Sequence, residues 1–175
     1  GFEVDVDEET LSGALNFTNP NYDFLGNSLN YSISSTKNDK PDLGYENSII
    51  AASVGTSFEQ YKDVRVRLGL NASYDDLQTE GSASSSLKKQ TGTFSELAAN
   101  YGFSFDRRDR AFMPTSGSII SFGQELPIYA DKSFIANTLS VSGYKSFSDD
   151  VVGSTKFYLS TITGLNDDDV RLSKR

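Results

Sequence analysis

Three groups of side chains in this chain could do chemistry. Arg65 and Arg67 stand two residues apart, where they could line a channel and draw in anions. Asp106, Arg107, Arg108, Asp109 and Arg110 form an unbroken charged run. Asp5, Asp7, Glu8 and Glu9 form one carboxylate cluster, and Asp167, Asp168 and Asp169 another. Such clusters can take Ca²⁺, but neither has the alternating ligands around a central Gly that a calcium loop uses. Both read as solvated turns. The two arginines read best as partners of nearby carboxylates such as Asp106, because an unpaired cation in a crowded interior is costly.

Other chemistry is excluded by what the chain lacks. Its 175 residues contain no His and no Cys. That removes the usual general base, the usual zinc ligands, a thiol nucleophile and any Ser-His-Asp arrangement. No two carboxylates sit in a context that points to acid–base work. We expect no catalysis, no metal and no cofactor. The formal net charge is −8, which argues against a nucleic-acid partner.

The elements that must position these residues are strands. Alternation of apolar and polar residues is nearly continuous, at the period of two that a strand imposes. The clearest case is 64–75. Val64, Val66, Leu68, Leu70, Ala72 and Tyr74 alternate with Arg65, Arg67, Gly69, Asn71, Ser73 and Asp75. In 97–106, Leu97, Ala99, Tyr101, Phe103 and Phe105 oppose Ala98, Asn100, Gly102, Ser104 and Asp106. Similar segments fall at 10–19, 26–37, 45–58, 117–128, 133–147 and 151–164, with a partial one at 1–6. Polar connections are expected at 37–44, 59–63, 76–92, 129–132 and 148–150. The longer ones would share one end of the sheet and the tight ones the other.

The question is what solvent the greasy face meets. No apolar run approaches the ~20 residues of a membrane helix. The mean hydropathy of −0.41 would suit a soluble protein, yet a membrane barrel also has it, because half of each strand faces a polar lumen. The strands run to about 11–15 residues, longer than the typical ~5–6 and close to what spans a tilted bilayer. Small and polar residues on the other face suit a wet lumen, with Arg65, Arg67, Asn71, Asn100 and Asp106 lumen-facing. Phe17, Phe58, Tyr74, Phe94, Phe105 and Phe147 near strand ends fit aromatic girdles. The expected fold is all-β: an antiparallel up-and-down transmembrane β-barrel, open and partial. The competing readings are a passive porin or secretion-pore barrel and a soluble β-sandwich binding module. A second sheet packed on Leu68 and Tyr101 would decide for the sandwich.

The run from Asp106 to Gly117 resembles a signature of the bacterial surface-antigen family, the barrel domain of outer-membrane assembly factors. There a strand ends in an Arg-Asp pair, and an aromatic and Pro-Thr-x-Gly follow. Arg108, Asp109, Phe112, Pro114, Thr115 and Gly117 stand at those positions. Asn16-Phe17-Thr18-Asn19-Pro20, then an aromatic and Leu25-Gly26, is similar to another turn of the family. The resemblance covers essentially the whole chain. It implies about 8–9 strands of a barrel of about 16, residues 1–175 lying within that domain and excluding its polypeptide-binding repeats and closing strands. It implies a bacterial outer-membrane location, with lipid, unfolded outer-membrane proteins and accessory assembly lipoproteins as partners. It places the 107–116 turn on the periplasmic side as a structural corner. There Pro114 fixes φ, Gly117 takes a positive φ, Thr115 bonds local backbone, and Arg108 and Asp109 satisfy each other or turn carbonyls. It also implies that 166–169 begin a loop reaching into the lumen, with an Arg-Gly-aromatic motif beyond Arg175.

Overall fold

The computed structural model describes residues 1–7, 9–23 and 25–165. They form a single antiparallel sheet of nine strands in sequence order. The strands are β1 (Phe2–Val6), β2 (Thr10–Asn19), β3 (Ser28–Lys40), β4 (Tyr45–Tyr61), β5 (Val64–Thr79), β6 (Gly92–Asp106), β7 (Gly117–Ala130), β8 (Phe134–Ser148) and β9 (Val151–Gly164). Each strand pairs only with its chain neighbours, so β1 and β9 are open edges among the described residues. No second sheet covers Leu68, Leu70, Tyr101 or Phe103, all of which are exposed. That removes the sandwich.

Register keeps the two faces separate across the sheet. One line of partners runs Ile33, Ala52, Ala72, Leu97 and Tyr129. The neighbouring line on the other face runs Asn30, Gly55, Gly69, Asn100, Glu125 and Ala136. A slip of one residue would exchange the faces, so the alternation itself fixes the pairing. The apolar face lies open while Ala98, Ser104 and Ser142 on the polar face are buried by their own sheet. The sheet therefore curls toward its polar face. Small side chains permit that curl, and serines bond across strands in it: Ser28 to Ser57 at 2.9 Å and Ser32 to Ser53 at 2.7 Å. At Gly102 a Cβ would stand 2.7 Å from the Phe122 carbonyl oxygen. Gly102→Val should lower the unfolding free energy of the full-length protein by roughly 1–3 kcal/mol, the usual cost of overpacking, and with it the urea midpoint. An unchanged midpoint would show that the close approach does not require glycine.

The strands extend past the expected boundaries. β3 continues to Lys40, leaving a 3₁₀ turn at Pro41–Leu43 where a longer loop was expected. The Ser-rich stretch shrinks to 80–91 and contains a one-turn helix, α1 (Ser85–Lys88), capped by Ser84 accepting from Leu87 N. Backbone ladders need no apolar side chains, so pairing runs on through polar residues until a turn stops it. Loop lengths do not segregate as expected. One end of the sheet carries connections 41–44, 80–91 and 131–133. The other carries 20–27, 62–63, 107–116 and 149–150. Phe94 also departs from the girdle, because its position opposite Asp75 puts it on the polar face. Glu8, the acidic residues 166–169 and the approach to Arg175 lie outside the described residues.

Candidate functional site

The β6–β7 connection is held by its own charged side chains. Arg107 N donates to Ser118 O at 2.8 Å and Asp109 N to Ser116 O at 3.1 Å, prolonging the ladder into the turn. Arg108 folds back on Asp106 with Nε to Oδ1 at 2.9 Å and Nη2 to Oδ2 at 2.6 Å, a two-pronged pairing that fixes the guanidinium plane. Its Nη1 donates to the Ala111 carbonyl at 3.3 Å. Asp106 beside it holds the Arg108 guanidinium still more firmly protonated, and Tyr144 of β8 adds a hydrogen bond. Asp109 closes the second half of the turn. Its Oδ1 accepts from Thr115 N at 2.9 Å and Ser116 N at 3.1 Å, and its Oδ2 from the Thr115 hydroxyl at 2.6 Å.

Of the two alternatives expected for Arg108 and Asp109, the mutual pair is not made, while the bond to a turn carbonyl is: Arg108 takes Asp106 and the Ala111 carbonyl, and the cation near Asp109 is Arg110 at 3.6 Å. One expectation is corrected. The Thr115 hydroxyl bonds the Asp109 carboxylate rather than local backbone. The reason is reach, since the turn brings Asp109 and Thr115 side by side. Met113 takes a positive φ of 49° and Gly117 one of 94°, on either side of Pro114. Phe112 stands at the tip, well exposed.

The Asp109 hydrogen bonds predict an acid response. The Thr115 hydroxyl, then the Ser116 and Thr115 amides and Arg110, hold the Asp109 carboxyl down to about 2. A depressed carboxyl pKa stabilises the fold above the unfolded value near 3.8 and loses that effect as pH falls through about 2. The Thr115 and Ser116 amide resonances should therefore shift with a midpoint near 2, and Asp109→Asn should abolish the transition. A midpoint near 3.8 would mean that the carboxylate is not held by these donors.

On the polar face the structure places Arg65, Arg67, Asn71, Asn100 and Asp106 along β5 and β6. Among the described residues neither Arg65 nor Arg67 forms an ion pair. Asp106, expected as their partner, is already taken by Arg108, and Arg65 Nη1 instead donates to Ser57 Oγ at 3.4 Å. Arg65, Asp106, Arg108, Glu59 and Asp63 border an open recess of about 470 Å³ where this face meets the turn. Mixed charges there give no anion-selective field. Two contributors carried no sequence signal. Asp63, at φ 66°, accepts from Asp106 N at 2.9 Å and stands 3.6 Å from Arg107 Nε. Tyr144 arrives through the pairing of β7 with β8.

This is a corner built of backbone and charge. A family model, the Omp85 superfamily domain, matches residues 1–175, the entire chain. The chain belongs to the Omp85 superfamily. Among curated proteins, this Omp85 chain is 28 % identical over 115 residues to the outer membrane protein assembly factor BamA of Neorickettsia risticii (strain Illinois). That match covers 65 % of the chain and 16 % of the relative. Among solved structures, BamA from Haemophilus ducreyi lacking POTRA domains 1–3 superposes with a TM-score of 0.79 at 18 % identity. The superposition covers 97 % of the Omp85 chain and 36 % of that structure, and it shows a shared barrel fold. The chain thus spans a minor part of the proteins it matches.

Proposed function

We propose that this chain is the central wall of an outer-membrane barrel that folds and inserts other outer-membrane proteins. The observation that carries the reading is the family match along all nine strands, in a sheet whose apolar face is uncovered from β1 to β9. An apolar sheet face this extensive is stable only against lipid or another protein layer. The curated relative named as an assembly factor supports the activity. On this reading the wall contacts membrane lipid outside and water inside, and the 107–116 turn faces the periplasm. The partners are unfolded outer-membrane proteins and accessory assembly lipoproteins. The chain does no covalent chemistry: its contribution is a shaped, two-sided surface.

The test is reconstitution of the full-length protein in liposomes with a urea-unfolded barrel client. Folded client, seen as a heat-modifiable gel band, should accumulate at least several times faster than in empty liposomes. Equal rates would reject the assembly role and favour a passive barrel. Reading the coding sequence past Arg175 gives a second check, an Arg-Gly-Phe or Arg-Gly-Tyr motif within a few dozen residues.

A further inference from the structure

The apolar face has one polar row across β6–β9. Tyr101, Gln124, Asn137 and Thr161 are register partners in four successive strands. The Tyr101 hydroxyl donates to Gln124 Oε1 at 2.8 Å, Gln124 Nε2 to Asn137 Oδ1 at 2.5 Å, and Asn137 Nδ2 to Thr161 Oγ1 at 3.4 Å. All donors point the same way along the row. On the same face Gln124 lies between Phe122 and Leu126, and Asn137 between Ile135 and Leu139. The row is one residue wide, and its two amides are flanked by apolar side chains.

Polar side chains on a membrane-facing wall are expensive and call for partners. A primary amide has two N–H donors, and the row uses one from each of Gln124 and Asn137. Each of the two amides keeps one N–H with no partner among the described residues, which a ligand rich in acceptors would satisfy. The row also runs obliquely. Thr161 stands three residues before the end of β9 at Gly164, whereas Tyr101 stands near the turn end of β6. Beyond Tyr101 the same register line continues through Leu68, Thr56 and Leu29. With Val54 and Leu70 these border an apolar depression of about 560 Å³, within the ~300–1,000 Å³ of ordinary small-molecule sites. The Thr56 hydroxyl donates to the Ser28 carbonyl at 2.9 Å and so presents no unsatisfied donor to it.

We infer that the row and the depression bind one phospholipid. Its ester or phosphate oxygens accept from the remaining amide hydrogens of Gln124 and Asn137. One acyl chain passes Tyr101 and lies in the depression between β3 and β6. The narrowness of the row favours a single lipid over a protein partner, which would need a broader contact. The inference rests on the reading of this face as lipid-facing.

The test uses the full-length protein in nanodiscs of diester phosphatidylethanolamine, and in parallel of its diether analogue. Lipid retained after detergent washing is counted by native mass spectrometry. The Gln124→Leu/Asn137→Leu double variant should lose one retained lipid at least fivefold relative to the unmodified protein. Loss of that lipid by the unmodified protein in diether discs identifies the ester carbonyls as acceptors, and its persistence there identifies the phosphate. Unchanged retention in the double variant overturns the site. A second measurement needs no variant: a phosphatidylethanolamine with a diazirine at the end of one acyl chain should label the peptide carrying Leu68 and Leu70 above all other outward peptides. Uniform labelling overturns it too. A Val141→Trp reporter separates the two levels. Quenching by brominated lipid together with unchanged retention defeats only the site, whereas absence of quenching defeats the lipid-facing reading beneath it.

Discussion

Gly117→Val should destabilise the folded barrel more than any other single change in the β6–β7 turn. Two costs coincide there. The backbone φ of 94° lies where a side chain with a Cβ is strained, which alone is worth ~1–3 kcal/mol. A Cβ would also stand 2.0 Å from the Arg107 carbonyl oxygen and 2.9 Å from Arg108 Cα. Both obstacles are backbone, and that backbone cannot yield. Arg107 N is tied to Ser118 O and Asp109 N to Ser116 O, with the paired strands continuing directly from them. Relief requires breaking those bonds and releasing the Arg108–Asp106 pairing. The measurement is the urea unfolding midpoint of the full-length protein in lipid, with Gly117→Ala as the milder member of the series. Gly143→Ala is the control, since a Cβ there has nothing within 4 Å and its φ is unremarkable. The Gly117 variants should lose several times more stability than the control. Equal losses would mean that the corner is soft and that its geometry is not what Gly117 secures.

The contrast between Gly117 and the charged run shows what the sequence could disclose. Alternation specified the faces because a pleated backbone leaves no choice: Leu68 and Arg67 must point opposite ways whatever surrounds them. The Pro114–Gly117 corner was legible for a similar local reason, as proline and glycine punctuate the backbone directly. Pairing among charges was not legible. Nothing in the run from Asp106 to Arg110 says that Arg108 will turn back to Asp106 while Asp109 turns forward to Thr115 and Ser116. That choice depends on Met113 taking a positive φ and on Tyr144 arriving from β8. The row from Tyr101 to Thr161 was hidden too. Each member is an unremarkable polar residue within its own strand, and only the register of four strands makes a line of them. Strand ends were the least legible part, because Lys40 and Thr79 pair as readily as any apolar residue once the ladder reaches them.

Leu68→Arg should distinguish a wall in lipid from a wall in water, and its sign does not depend on lost packing. Leu68 is 46 % exposed in the middle of the apolar face of β5. On a protein surface in water, replacing so exposed a leucine is nearly neutral, within about 0.5 kcal/mol. On the lipid face of a barrel, arginine costs about 2–4 kcal/mol at the membrane midplane and about 0–1 near its edges. Asn71→Arg, three residues on and on the polar face, places the same cation toward water in the same strand. The expected order in bilayer unfolding experiments is therefore a large loss for Leu68→Arg and a small one for Asn71→Arg. Depth supplies a second axis. Val66→Arg and Tyr74→Arg share the face of Leu68 but lie toward the two ends of β5, so each should cost less than Leu68→Arg. A soluble wall predicts no such maximum at the centre, because water has no midplane. Equal effects at positions 66, 68 and 74 would remove the bilayer from the account, and with it the membrane role built on this face.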